Sequence, residues 1–341
     1  MAQAPAFIQT TVTSTRIRLA RNLAAYPFPE KLDEKLAGEV VYLIENGLKE
    51  LDDFEKYDIG KITREEATLL QEQHLISPAL IRKKGLAAAF LSSDRSTSIM
   101  VNEEDHLREQ YIYKGFDLYK AYEHISAIDE SLGEKLDFAY DYKLGYLTAC
   151  PSNLGTGMRA SVMMFLPGLA KSNELKSFLP TLKAGGLTVR GVFGEGTAAE
   201  GYSYQVSNER TLGQSESDIL DQMVRMTMTL CDLEIRAREK MLETDKIPLR
   251  DECLRAFGAL TNCAVLPLKE LTAGMVKVRL GVALGFFKAR NVQDFNDFMA
   301  DMRPMSFRLK NGLRGMSEYE CDLMRAEIMH KVLPELVVRI N

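Results

Sequence analysis

The chain has 341 residues, enough to bury a sizeable core in one large or two moderate domains. With 46% hydrophobic and 27% charged residues and a net charge of −5, it reads as a soluble globular protein without the basic field that would point to nucleic acid. Five scattered cysteines without a CxxC pair argue against a structural zinc site and a secreted disulfide framework. No apolar run is long enough to span a bilayer and Met1 to Gln9 has no signal-peptide pattern, so a cytoplasmic location without membrane contact is expected.

In chain order, Thr10 to Arg18 reads as an extended segment with arginines on one face. Glu30 to Phe54 has helical spacing through Leu32, Leu36, Val40, Leu43, Ile44, Leu48 and Leu51. Gly85 to Asn102 predicts a hairpin turning at Ser92 to Ser96. Glu103 to Leu132 predicts a helix, with Glu103, Glu104 and Asp105 at the positive end of its dipole. Gly145 to Thr148 predicts a strand, followed by a loop at Cys150 and a helix through Ala170. Leu187 to Phe193 and Tyr202 to Ser207 predict two strands joined by a Gly-rich loop. Ser215 to Lys240 predicts a long helix opened by a Ser215–Asp218 cap. Glu243 to Leu249, with a proline and a charge cluster, is the expected boundary between a unit spanning 1–243 and a C-terminal unit spanning 244–341. Beyond it the pattern is mainly helical, including Glu318 to Val332, with no strong strand pair.

Four segments carry chemistry. Ser14-Thr15-Arg16-Ile17-Arg18 alternates arginine with apolar residues. Asn102-Glu103-Glu104-Asp105-His106-Leu107-Arg108 gathers carboxylates beside a cation. Cys150-Pro151-Ser152-Asn153-Leu154-Gly155-Thr156-Gly157-Met158-Arg159-Ala160-Ser161-Val162 joins a thiol, glycines and arginine in one turn-rich stretch. Val189-Arg190-Gly191-Val192-Phe193-Gly194-Glu195 ends in a glycine-flanked carboxylate. Glycine lets a backbone approach a phosphate closely, and arginine supplies a permanent fork of donors.

Together these segments resemble the catalytic signature of the phosphagen (ATP:guanido) kinases, and their wording is most similar to the bacterial protein-arginine kinases. The resemblance runs from about Ser14 to the C-terminus, with the motifs in the family's order. It implies an α+β catalytic domain, a large antiparallel sheet flanked by helices, and a smaller helical domain serving phosphoarginine binding, regulation or oligomerisation. It implies ATP with Mg²⁺ and arginine-bearing protein substrates, marked for degradation or stress regulation. An activator protein, proteolytic machinery and a homodimeric state are implied as well. By family position Glu104 and Glu195 hold the guanidinium and accept its proton, and Cys150 positions the substrate. The nucleotide falls to Ser14, Thr15, Arg16, Ile17, Arg18, His74, Arg108, Arg159, Ala160, Ser161, Val162, Met163, Arg190, Gly191, Val192, Phe193, Gly194 and Glu195. Arg21 reads as a surface arginine outside this set.

The family's phosphoarginine-sensing RDxxRA motif corresponds to Cys321-Asp322-Leu323-Met324-Arg325-Ala326, with cysteine replacing the first arginine. Arg250 to Ala256 reads similarly but lies away from that position. Metabolite-type members usually carry an extra helical domain before the arginine-rich segment, where this chain has about a dozen residues, which favours a protein acceptor over free arginine or another small guanidine. A non-catalytic phosphoarginine-binding adaptor is the reading from another class. Gly194-Glu195-Gly196-Thr197-Ala198-Ala199 also fits a loose dinucleotide pattern, but a strand, not a helix, is expected after it.

Overall fold

The computed structural model of the chain describes residues 6–51, 53–83, 85, 87–191 and 200–340. Its strands are β1 (Val12–Arg21), β2 (Phe54–Asp58), β3 (Ala88–Ser92), β4 (Thr97–Val101), β5 (Leu107–Lys114), β6 (Tyr140–Asp141), β7 (Gly145–Tyr146), β8 (Met158–Phe165), β9 (Leu187–Gly191), β10 (Ser203–Asn208), β11 (Phe287–Ala289) and β12 (Val337–Arg339). Eight of them form one sheet in the order β2-β3-β4-β5-β1-β8-β10-β9, antiparallel throughout. This is the α+β architecture expected.

β1 explains the layering. Ile17 and Leu19 are buried on one face, while Arg16 and Arg18 take the other. A one-residue slip would drive both arginines into the core, so the register is strongly specified. The apolar face packs Ile17, Leu19, Met158, Ala160, Val162 and Val206 against Leu118, Ala121 and Ile125 of the helix Leu118–Gly133. Ile219, Leu220, Met223 and Leu230 of the long helix Glu216–Leu260 close the same cluster. Each fully buried aliphatic side chain contributes about 1.5–3 kcal/mol, and two further clusters hold β3 and β4, one through Phe90, Ile99 and Val101 and the other through Ala89, Leu91 and Met100. Another cluster, with Phe257, Phe287, Phe295, Phe307, Met329 and Leu333, fills the C-terminal region and takes in Phe165 at the end of β8.

Several expectations are corrected. The predicted helix from Glu30 is confined to Glu34–Leu48, capped by Asp33, and Phe54 opens β2. The expected helix Glu103–Leu132 is a turn, then strand β5, then the helix Leu118–Gly133 capped by Asp117. Leu107 to Lys114 pairs with β4 on one side and β1 on the other, and those ladder bonds override any helical tendency. The expected helix after the Cys150 loop is instead β8; only Pro167–Lys171 is helical there. A continuous apolar run suits a central strand as well as a buried helix. Gly145 to Thr148 forms only the short β7, paired with β6.

The capping box at Ser215 and Asp218 forms, but the helix runs past Lys240 to Leu260. The expected boundary lies inside it, as a kink at Asp245 (φ −129°, ψ 25°) followed by Pro248. A helix continues through proline when packing on its far side compensates, and here Leu249, Cys253 and Phe257 are buried in the C-terminal cluster. β11 and β12 form a strand pair that the sequence did not predict. No helix among the described residues is long and apolar enough to cross a membrane.

Candidate active site

Alternation along the strands decides which side chains meet. Arg16 and Arg18 lie two apart on β1; Arg18 pairs with Gln110 of β5 and Arg159 of β8, and Arg16 with Ser161. Arg108 lies two residues before Gln110. Gln205 of β10 pairs with Met163 of β8 and Arg190 of β9. This polar face floors a cleft of about 730 Å³, where Arg16, Arg18, Arg108, Arg159 and Arg190 converge from four strands. His74 and its neighbours from Thr68 to Pro78, with Arg303 and Pro304, complete the lining.

These cations are poorly compensated. Arg16 donates to neutral groups, the Gln205 Oε1 at 2.9 Å and the Ser161 Oγ at 3.5 Å. Arg159 donates to the Ser207 Oγ at 3.3 Å, and the buried Nε atoms of Arg18 and Arg159 find no acceptor among the described residues. Burial, then Arg108 and Arg159, push Arg16 down to about 10. Burial and the neighbouring arginines hold Arg18 well below its ordinary range, and burial with Arg190 and Arg108 lowers Arg159. Clustered, half-desolvated like charges destabilise the unliganded protein, and a bound polyanion relieves them. Among the described residues, only Arg108 of these five has a close carboxylate, Glu103, at 2.8 Å.

A smaller pocket of about 180 Å³ shares Arg18, Arg108 and Arg159 with the cleft and adds Glu104, Asp105, Cys150, Ser152 and Asn153. The turn between β4 and β5 shows why Glu104 stands apart from its neighbours. Burial raises the Glu103 carboxyl, but Arg108 and a hydrogen bond from the Ser77 hydroxyl outweigh this and leave it below its ordinary value. Asp105 accepts from Asn22 Nδ2 at 2.6 Å and from the Ala149 N–H at 2.7 Å; burial nevertheless raises its pKa. The His106 Nδ1 accepts from the Leu23 N–H at 3.0 Å and its Nε2 lies 3.0 Å from the Pro27 carbonyl, which assigns the proton to Nε2. Burial pushes its pKa down to about 4. Glu103, Asp105 and His106 therefore build the turn, and Glu104 is exposed.

In the Cys150 loop the Cys150 Sγ lies 3.1 Å from the Ser152 Oγ. Its glycines serve a purpose other than the phosphate approach expected of them. Gly155 (φ +106°) lies where a Cβ would stand 2.5 Å from the Thr211 carbonyl oxygen, and Gly157 (φ +65°) where one would stand 2.6 Å from the Ala20 oxygen. Both let the loop lie against the protein's own backbone.

The remaining predicted residues divide by face. Ser161 lies beneath Arg16, and Met163 is on the cleft side of β8 without lining the cleft. Ile17, Ala160 and Val162 point into the core, and the Thr15 hydroxyl donates to the Gly115 carbonyl at 2.8 Å. Ser14 is half-buried near the far end of β1, and Gly191 ends β9. Val192, Phe193, Gly194 and Glu195 lie outside the described residues. His74 lines the cleft, and enclosure followed by Arg303 and Arg16 push its pKa down to about 4.

Arg21 is not a surface residue. It is 2% exposed, paired to Asp129 at 2.7 Å and stacked on Tyr146, because its odd register turns it away from Arg16 and Arg18. Nearby Glu109 is fully buried, and burial and Asp129 hold its carboxyl well above the ordinary range. Sequence reading passed over Gln110 and Gln205 and gave Glu103 only a helix-end role; the two-residue spacing from Arg108 to Gln110 would have shown Gln110 once β5 was read as a strand.

The C-terminal motif offers no open cation. Cys321, Arg325 and Ala326 are buried, and Arg325 is engaged by Asp322 and, at 2.8 Å, by Glu318, with Phe307 beneath it. Arg308 holds the other Glu318 oxygen at 2.7 Å. In the described fold these residues form an internal ion-pair network.

Residues 36–237 match the family described as ATP:guanido phosphotransferase, C-terminal catalytic domain, and residues 246–338 match that described as Protein-arginine kinase McsB C-terminal domain. The chain is similar to the protein-arginine kinase of Caldanaerobacter subterraneus subsp. tengcongensis, 38% identical over 93% of this chain and 95% of that one. It is similar to that of Clostridium acetobutylicum at 41% identity over 85% and 86%. Among solved structures, lombricine kinase superposes with a TM-score of 0.60 at 28% identity over 69% of this chain and 68% of that one. The duplicated taurocyamine kinase of Schistosoma mansoni superposes with a TM-score of 0.63 at 28% identity over 70% of this chain, which spans only 35% of that one. A cation-floored cleft beside an acid-and-thiol pocket, on this sheet and with these relatives, leads to one conclusion: the chain belongs to the ATP:guanido phosphotransferase family, among its protein-arginine kinases.

Proposed function

We infer that the chain transfers the γ-phosphoryl group of ATP to the guanidinium of arginine residues in proteins. The observation that carries this reading is the shared wall of the two pockets: Arg18, Arg108 and Arg159 line both the cationic cleft and the pocket holding Glu104 and Cys150. A triphosphate neutralised on one side thus ends where a guanidinium meets a carboxylate on the other. In the reaction a guanidinium nitrogen attacks the γ-phosphorus and the N–P bond forms. The bond to the bridging oxygen breaks, its electron pair leaves on ADP, and the nitrogen's proton passes to Glu104. Arginine holds its proton at neutral pH, so an oriented carboxylate is required both to grip the fork and to receive that proton.

The five arginines act by positioning and by spreading the phosphoryl charge, the main protein contribution to phosphoryl transfer. Mg²⁺ would arrive with ATP. Among the described residues no group of His, Cys, Asp or Glu forms a cage for it, so phosphate oxygens and water would hold it, and there it would draw charge from the transferring group. Glu195 is proposed as the second carboxylate from its motif alone.

Relatives named protein-arginine kinase match 85–96% of the chain, and Glu104 is exposed enough to meet an arginine carried on a polypeptide; both favour a protein acceptor over free arginine. The intact set of arginines with Glu104 speaks against a non-catalytic adaptor. The division into a catalytic unit, 1–243, and a C-terminal unit, 244–341, belongs to the same proposal. A cytoplasmic homodimer with an activator, marking proteins for degradation, rests on the family resemblance.

The test is to incubate the chain with γ-labelled ATP and either an arginine-rich protein or free L-arginine. Acid-labile label on arginine of the protein, located by mass spectrometry under non-acidic conditions, is the expected result. Free arginine outcompeting protein would refute the choice of acceptor.

A further inference from the structure

One cation of the nucleotide cleft comes from outside the sheet. Arg303 precedes the helix Pro304–Lys310 in the C-terminal region, yet it lines the same cleft as Arg16, Arg18 and His74. Its place is built by Glu72, at the end of the helix Arg64–Glu72. The Glu72 carboxylate accepts from the Met305 N–H at 2.9 Å, from the Ser306 N–H at 2.9 Å and from the Ser306 hydroxyl at 3.1 Å. The first turn of the C-terminal helix is thereby tied to the wall of the cleft. Arg303 itself donates through Nη1 to the Glu72 backbone carbonyl.

The charge of Arg303 is therefore left over. Glu72, the carboxylate beside it, spends both oxygens on the helix turn, and the contact with Arg303 is to a neutral carbonyl. Burial lowers the Arg303 pKa and Glu72 only partly opposes it; its field in turn reaches the His74 ring. An arginine that is half-buried and, among the described residues, held by one carbonyl, in the same cleft as the undercompensated Arg16, Arg18 and Arg159, has no structural reason to face other cations. It has a functional one if the cleft fills with a polyanion.

We propose that Arg303 is a sixth nucleotide-binding arginine, supplied by the C-terminal region to the negative charge of ATP and ADP. This rests on the nucleotide reading of the cleft. A bound nucleotide then joins the sheet to the Pro304–Lys310 helix through Arg303, so occupancy of the cleft steadies that helix. The consequence is a two-way link, since any event that shifts the helix changes nucleotide affinity by the same factor.

The experiment measures ADP and ATP binding calorimetrically on the full chain for wild type, Arg303→Met, Arg303→Lys and Arg159→Ala. Alongside, hydrogen exchange of amides 303–311 is followed in wild type with and without ADP. Arg303→Met should weaken both nucleotides about tenfold, as expected for one lost charge-assisted contact. Arg303→Lys should recover part of that loss, and ADP should slow exchange of the 303–311 amides. If Arg159→Ala loses affinity while Arg303→Met binds like wild type, the proposal is overturned and the nucleotide cleft stands. If Arg159→Ala also binds like wild type, the cleft reading falls and the proposal with it. Unchanged exchange in wild type on ADP binding overturns the proposal even if Arg303→Met proves too unstable to titrate.

Discussion

Adjacent residues of one turn should respond to mutation in opposite ways. Glu104 is exposed, so Glu104→Gln should leave stability within the small range typical of surface substitutions. It keeps the shape and one acceptor oxygen but cannot take the guanidinium's proton. General-base contributions run at about 10²–10⁴-fold, and kcat should fall by that much while the Kd for ATP changes little. Asp105, one residue on, is 2% exposed and accepts from Asn22 and the Ala149 N–H. Asp105→Ala would strand the Asn22 Nδ2 donor in the interior, at about 1–3 kcal/mol of folding stability, while the N–H of exposed Ala149 can turn to water. Urea unfolding of both variants, with initial rates on an arginine-rich protein acceptor, separates the two effects. If Glu104→Gln turns over within a few-fold of wild type, Glu104 is not the proton acceptor. If it instead loses as much stability as Asp105→Ala, the division of the turn into a scaffold and one presented carboxylate is wrong.

Arg159→Ala and Arg190→Ala should each weaken ATP binding at least about tenfold in direct titrations. Arg21→Ala should instead lower unfolding free energy by about 3–5 kcal/mol, because it strands buried Asp129, without a selective effect on nucleotide affinity in the folded fraction. His106 titrates at about 4 when folded, against 6.5 when unfolded, so the unfolded chain binds more protons between those values. Its contribution is complete above about pH 6.5 and is lost as pH falls toward 4. Urea midpoints between pH 7.5 and 5 should drop, and the drop should be smaller in His106→Gln; identical slopes would refute this. Cys150→Ala should raise the KM for protein acceptor while retaining turnover, with no phosphorylated cysteine detected by mass spectrometry, and complete inactivation would argue for a covalent role.

The sequence by itself determined the chemistry. Arginine, carboxylate, thiol and glycine stand in four ordered motifs, and the five sheet arginines of the cleft and most of the smaller pocket come from them, because a polyanion and a guanidinium demand side chains that no generic surface concentrates. The strands that carry those motifs were not legible. Leu107 to Lys114 and Met158 to Phe165 are central strands, and what makes them so is hydrogen bonding to β1 and its neighbours, partners remote in sequence. With β5 and β8 misread, their cleft-facing side chains could not be told from their core-facing ones: Arg159 from Ala160, or Gln110 from Glu109. The same parity on β1 sends Arg21 inward to Asp129 and leaves Arg18 in the cleft. Glu104 and Asp105 look equivalent in the chain; only Asn22 and Ala149, brought up by the fold, engage one and leave the other free. Arg303 carries no local signal at all, for its role depends on Glu72 capturing the turn that follows it, a contact that exists only once the C-terminal helices close on the sheet.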